Sequence, residues 1–195
     1  MRSLICLTTL LLAAAPAMAH PGHELGGSGF TAGVVHPLLG IDHLLAILAV
    51  AVIGVQIGGR ARWALPFAFL TVMAIGGVFG LAGQPSAMLE YAIATSLIVL
   101  GGLIAFQTTT YAAVPVFCAI AFGSIHGHAH GTELLANDSA AAYIPGFLLS
   151  TAVLLLIGTL AANRLMQVNL GRRGLRWSGA AVAATGVVFA LMVGQ

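Results

Sequence analysis

Residues 31–56 read TAGVVHPLLGIDHLLAILAVAVIGVQ, a long apolar run that is interrupted by two histidines and one aspartate. A helix needs about 20 mostly apolar residues to cross the hydrocarbon core of a bilayer, so this run is long enough. The whole chain is also strongly apolar, because 59% of its 195 residues are hydrophobic and 6% are charged. Soluble domains, in contrast, carry about 25% charged residues. The sequence therefore predicts an all-α integral membrane protein.

Six segments are long and apolar enough to be spans. They are 31–56, 63–82, 88–107, 112–135, 143–163 and 175–194. The connections between them are short, so residues 20–195 are predicted to form one transmembrane domain. Each half would contain three spans, an odd number, and this predicts opposite orientations of the halves, as in the inverted repeats of transporters.

The N-terminus has the pattern of a secretory signal peptide. Arg2 precedes an apolar stretch at 4–15, and Ala17-Met18-Ala19 is a small-residue cleavage site. The alternative is an uncleaved first transmembrane helix, but the apolar stretch is short and is followed by Pro16. We predict that residues 1–19 are removed and that the mature chain begins at His20 in the periplasm.

The arginines predict the orientation. All six arginines outside the predicted signal fall in two loops, near 60–62 and 164–176. Positive loops stay on the cytoplasmic side, so we expect a multi-pass protein of the bacterial inner (cell) membrane with a periplasmic N-terminus. The net charge of +2 and the lack of lysine give no indication of a nucleic-acid partner. The lipid bilayer is the expected surrounding, and the oligomeric state stays open.

Five of the seven histidines lie in two short windows within predicted spans. The first is His36-Pro37-Leu38-Leu39-Gly40-Ile41-Asp42-His43, and the second is His126-Gly127-His128-Ala129-His130-Gly131-Thr132-Glu133. Ionisable groups within a membrane span are costly and are functional by default. The candidate metal ligands are therefore His36, Asp42, His43, His126, His130 and Glu133, with His128, His20 and His23 as weaker candidates.

Helical spacing groups these residues. His126, His130 and Glu133 are spaced i, i+4 and i+7 and share a face, whereas His128 points to the opposite side. His36 and His43 also share a face, but about 10 Å separates them along a straight helix. Two arrangements stay open. Either Pro37 and Gly40 break the span so that it wraps one ion, or the two histidines belong to successive sites.

A stripe of small residues follows the second window. Gly123, Gly127 and Gly131 are spaced by four residues, a pattern that lets membrane helices approach closely. We expect the stripe to press the fourth span against the first, so that both windows reach one ion.

The types of candidate ligand limit which metal ions the site could bind. Imidazole and carboxylate suit Ni(II), Co(II), Zn(II), Fe(II) or Cu(II), and an all-oxygen site for Mg²⁺ or Ca²⁺ would not need histidine. Cys118 stands alone in the predicted mature chain, so the soft ligands that select Cu(I) are missing. We expect no prosthetic group, with the ion as cargo.

The two windows resemble the signatures of the HupE/UreJ family of nickel and cobalt permeases. That family carries His-Pro-x-x-Gly-x-Asp-His in its first mature span, which matches His36, Pro37, Gly40, Asp42 and His43. Its second signature, Phe-His-Gly-x-Ala-His-Gly-x-Glu, matches from His126 to Glu133, with Ile125 in place of the usual Phe. The resemblance covers the whole chain. It implies import of Ni²⁺ or Co²⁺ for a hydrogenase or a urease.

Other functions remain as alternatives. An intramembrane zinc-dependent hydrolase would use histidines, an aspartate and a serine, and Ser124 lies close to His126 in the sequence. No His-Glu-x-x-His pattern supports that alternative. A metal or pH sensor would need an output domain, which the short loops do not provide. The sequence thus favours a permease over an enzyme.

Overall fold

The computed structural model describes residues 29–107, 112–134 and 139–193. Within these ranges the chain forms helices α1 (Phe30–Leu39), α2 (Ile41–Ile57), α3 (Ala61–Gly80), α4 (Ala87–Phe106), α5 (Ala113–Thr132), α6 (Ala140–Leu165) and α7 (Asn169–Met192), and no strand. The predicted all-α class is therefore confirmed for the described residues. The predicted signal peptide and the weaker candidates His20 and His23 lie outside them.

The helices have the length and composition of a multi-pass membrane protein. Four of them, α3, α4, α6 and α7, are long and apolar enough to cross a bilayer, and α1 with α2 would make a fifth span. Helix α5 corresponds to the predicted fourth span but is less apolar, since it carries three histidines. Six crossings therefore stay a prediction.

The first predicted span is broken at Gly40. Helix α1 ends there with a hydrogen bond from the Gly40 N–H to the His36 carbonyl, and α2 starts after a bend of 77°. Pro37 lacks the N–H that would continue the helical pattern, and Gly40 adopts an extended conformation with φ −73° and ψ 98°. Of the two arrangements left open by the sequence, the broken span is the one observed.

The glycine stripe packs against a different helix from the one expected. Gly127 lies against the Met73 carbonyl and Gly131 against the Gly77 carbonyl, both in α3, so the expected packing against the first span is wrong. Helix α3 has its own small residues at Gly76, Gly77 and Gly80, and the two glycine faces bring the backbones of α3 and α5 together. A flat face on each helix allows this approach.

The two helices of the first predicted span, α1 and α2, pack against parts of the bundle other than the glycine stripe. Gly33 of α1 and Gly146 of α6 lie against each other's helix backbones, so α1 rests on α6. Helix α2 passes through the centre of the bundle, where Ala46, Ile47 and Val50 are fully buried. The first window therefore contacts α5 mainly through side chains of α2, and less through close packing of the two backbones.

The two arginine-bearing loops lie at the same end of the bundle. Arg62, at the start of α3, places its Nη1 atom 3.5 Å from Oδ1 of Asn163 near the end of α6. Trp63 and Trp177, which follow these loops, are exposed, as expected for tryptophans at a membrane interface. The predicted orientation requires both loops at one end of the bundle, and that this end faces the cytoplasm stays a prediction.

Replacing Gly76 with alanine is expected to destabilise the bundle. An added Cβ would collide with the Ser124 carbonyl of α5, and such overpacking costs about 1–3 kcal/mol of unfolding free energy. Gly102 is the matched control, because a Cβ there meets nothing within 4 Å and Gly→Ala in a helix gains about 0.5–1 kcal/mol. Thermal melting in detergent should show a lower midpoint for G76A only; equal midpoints would contradict the packing described.

Candidate metal centre

Four side chains from three elements converge inside the bundle. His36 of α1, His43 of α2, and His130 and Glu133 at the end of α5 each offer one ligand atom, and these atoms all lie within 4.8 Å of one another. Ligands about 2.1 Å from one ion are separated by about 3–4 Å. Small side-chain rotations would therefore bring all four atoms to one ion. We call these four residues the His/Glu cluster.

The broken span is what makes the cluster possible. The ring centroids of His36 and His43 are 5.7 Å apart, in place of the about 10 Å of a straight helix. On α5, His130 and Glu133 lie on one face, as their spacing predicts. The ring of His130 lies 4.8 Å from that of His36 and 4.2 Å from that of His43.

The His/Glu cluster is open at one end and closed at the other. His36 Nε2 and Glu133 Oε2 are 2.9 Å apart, and their side chains are 30% and 35% exposed. His43 and His130, in contrast, are 3% and 0% exposed. An ion would therefore meet His36 and Glu133 first and the two buried imidazoles afterwards.

His130 has the features of a ligand held in place. Its ring stacks on Phe147 of α6 with a centroid distance of 4.7 Å and an interplanar angle of 20°. Neither ring nitrogen has a hydrogen-bond partner among the described residues. Buried polar atoms are usually hydrogen-bonded, so an imidazole left without partners in a ligand cluster is suited to binding a metal ion.

Asp42 orients His43 and does not join the His/Glu cluster. Its Oδ1 atom lies 2.8 Å from Nδ1 of His43 and also accepts the His43 backbone N–H at 2.8 Å. This contact places the imidazole proton on Nδ1 and leaves the Nε2 lone pair available, as carboxylates do for metal-binding histidines. Asp42 was predicted as a ligand, and the structure places its carboxylate on His43, outside the His/Glu cluster.

The other predicted ligands lie outside the His/Glu cluster. His126 is fully buried beside His43, with ring centroids 4.9 Å apart, and its Nε2 lies 2.8 Å from Ser96 Oγ in α4. His128 is half-buried on the opposite side of α5, as its spacing predicts. Its Nε2 faces the turn after α3, where a Cβ added at Gly83 would come within 2.9 Å of it.

Three residues beside the histidines were not identified from the sequence. They are Ser96, which contacts His126, Phe147, which stacks on His130, and Tyr143, whose ring centroid lies 6.0 Å from that of His36. Each is an isolated residue in an apolar helix and has no spacing pattern. The only signal for Ser96 is its polarity within a span.

The sequence of this chain matches known proteins along almost its whole length. The family model described as "HupE / UreJ protein" matches residues 8–189. The chain belongs to the HupE/UreJ family. The curated protein HupE of Rhizobium leguminosarum bv. viciae is 41% identical over 194 residues, which cover 96% of each chain. No solved structure matches.

The family match confirms the resemblance seen in the two windows. The matched range of the HupE/UreJ model includes both windows and all but the last residues of α7. Membership agrees with the apolar helices of a multi-pass membrane protein. In this HupE/UreJ protein, the two windows are the segments that supply the His/Glu cluster.

Proposed function

We propose that this HupE/UreJ protein is a permease that carries nickel, with cobalt as a second accepted ion, from the periplasm to the cytoplasm. There the metal would supply a hydrogenase or a urease. The observation that supports the proposal is the His/Glu cluster, in which three imidazoles and one carboxylate from three elements meet within 4.8 Å. Family membership, together with what the resemblance implies, points to the same cargo.

The donor set favours a transition-metal cargo. Three imidazoles suit Ni(II), Co(II) and Zn(II), whereas Mg²⁺ and Ca²⁺ take oxygen ligands. Among divalent ions of the first transition row, nitrogen-rich sites bind nickel more tightly than cobalt. Of the two ions that the family resemblance implies, nickel is therefore the proposed main cargo.

The position of the His/Glu cluster favours transport over storage. Its outer residues, His36 and Glu133, are partly exposed, while His43 and His130 lie within the helical bundle. An ion captured at the mouth can exchange water for imidazole one ligand at a time. The buried imidazoles would then hold it at a depth from which release toward the other side is possible.

The helix pairing suggests how release could occur. In the proposed 3+3 repeat, α1 with α2 corresponds to α5, and α3 corresponds to α6. The close contacts of α3 with α5 and of α1 with α6 are then equivalent contacts between the halves. Because ligands come from both halves, a rocking motion of one half against the other would open the His/Glu cluster to the cytoplasm.

The geometry gives no support to the alternative hydrolase. Ser124, its candidate nucleophile, is exposed, and its hydroxyl donates to the Ile120 carbonyl of its own helix at 3.1 Å. Ser96, which does contact a histidine, is fully buried. A serine nucleophile must reach its substrate and its base together, and neither serine does so.

Purified protein in liposomes is expected to move Ni²⁺ inward, measured with a nickel-sensitive dye inside the vesicles. Uptake should saturate, should be reduced by Co²⁺, and should be unaffected by a large excess of Mg²⁺, because imidazole ligands discriminate against hard cations. Protein-free liposomes provide the background. Uptake no faster than that background, or uptake reduced equally by Mg²⁺, would contradict the proposal.

A further inference from the structure

We propose that Ser96 in α4 positions His126 so that its Nδ1 atom serves as the next ligand for an ion leaving the His/Glu cluster. This inference rests on the proposed transport function and extends it. It adds a third span to the site and places a further ligand beyond the cluster.

The hydrogen bonds of Ser96 determine which nitrogen of His126 carries the proton. A serine hydroxyl has one hydrogen, and the Ser96 hydroxyl donates it to the Ile93 carbonyl at 2.6 Å. Its oxygen can then only accept from His126 Nε2, which lies 2.8 Å away. Both side chains are fully buried, so water does not compete, and His126 is held as the Nε2–H tautomer.

The consequence is a free lone pair at Nδ1 of His126. This atom is buried and has no hydrogen-bond partner among the described residues. His43 has the equivalent arrangement with the nitrogens exchanged. Asp42 contacts its Nδ1, and its Nε2 has no hydrogen-bond partner among the described residues and stays available. Hydrogen bonds of this type fix the tautomer and ring orientation of metal-binding histidines.

His126 lies on the side of the His/Glu cluster away from its mouth. Helix α5 carries Glu133 at its outer end, and His126 is seven residues earlier on the same face, about 10 Å deeper. Its ring stands edge-on to that of His43, at 90° and 4.9 Å. His43 thus contacts both His130 and His126 and can hand an ion from the cluster to His126.

The tautomer can be measured directly by NMR without any metal. Protein with isotope-labelled histidine nitrogens distinguishes Nδ1–H from Nε2–H imidazoles, and the His126→Gln variant identifies the His126 signals. We expect Nε2–H in the wild type and a mixture in Ser96→Ala. An Nδ1–H signal in the wild type, or an unchanged tautomer in Ser96→Ala, would overturn the inference.

Nickel uptake then tests whether the positioned nitrogen matters. Ser96→Ala is expected to lower uptake about tenfold, the lower end for loss of a contact that orients a ligand, and Ser96→Thr, which keeps the hydroxyl, to restore part of it. Ser178→Ala is the matched control, because the Ser178 hydroxyl donates to the carbonyl three residues earlier (Leu175, 2.8 Å) in the same way, and this hydrogen bond involves no histidine. Equal uptake by S96A and S178A would overturn the inference.

The two proposals fail separately. If wild-type protein shows no nickel uptake above protein-free liposomes, the proposed transport function fails, and with it the role of His126 in transport. If wild-type uptake is normal and depends on the His/Glu cluster but is insensitive to Ser96→Ala, only the positioning role fails.

Discussion

The His130→Ala variant is expected to lose nickel uptake almost completely, by at least about 100-fold. His130 lies at the centre of the His/Glu cluster, fully buried, with both ring nitrogens unpartnered in the described structure. Loss of residues that merely orient ligands costs about 10–100-fold in metal affinity or activity, and removal of a ligand should cost at least as much.

His128→Ala is the matched control for this prediction. His128 lies two residues away on the same helix, is only half-buried, and faces the turn after α3 instead of the His/Glu cluster. Nickel uptake in liposomes should stay near wild type for H128A at equal protein content. If H130A transports nickel as well as H128A does, the cluster is not the transport site.

The second large effect is expected for Asp42→Asn. The Asp42 carboxylate accepts two hydrogen bonds from His43, at 2.8 Å each, and its negative charge polarises the imidazole. An amide would still fit the space but would orient and polarise His43 less strongly. We expect nickel affinity to fall by about 10–100-fold, the usual range for such partners, with the melting midpoint little changed.

Calorimetric titration of purified protein with Ni²⁺ would measure this loss, and a double-variant cycle would assign its cause. If Asp42 acts through His43, Asp42→Asn should have little further effect in a His43→Ala background, because the contact is already gone. An equal loss in both backgrounds would indicate that Asp42 is a direct ligand, as the sequence alone suggested.

The residues of the site could be predicted because the membrane makes polar groups costly. For this reason four residues stand out in apolar segments: His36, His43, His130 and Glu133. Helical spacing correctly predicted that the last two share a face and that His128 lies on the opposite side of the helix. Pro37 and Gly40 indicated that the first span could break. Only the structure shows the 77° bend, because the same two residues are also compatible with an unbroken helix.

What could not be predicted is which partner each helix takes. The stripe of Gly123, Gly127 and Gly131 predicts that another helix packs closely against α5, but it does not indicate which helix. The matching small residues Gly76 and Gly80 in α3 are spaced by four and were the available signal for it. Asp42 and Ser96 illustrate a second limit, since an orienting contact depends on side-chain geometry that spacing alone does not define.

X-ray absorption at the nickel edge of purified, nickel-loaded protein would test most directly whether one ion is held by both windows. We predict a shell of nitrogen and oxygen ligands with scattering from three imidazoles, supplied by His36, His43 and His130, and one imidazole fewer in each of H43A and H130A. A wild-type spectrum with oxygen ligands alone, or one that neither substitution changes, would contradict a shared site.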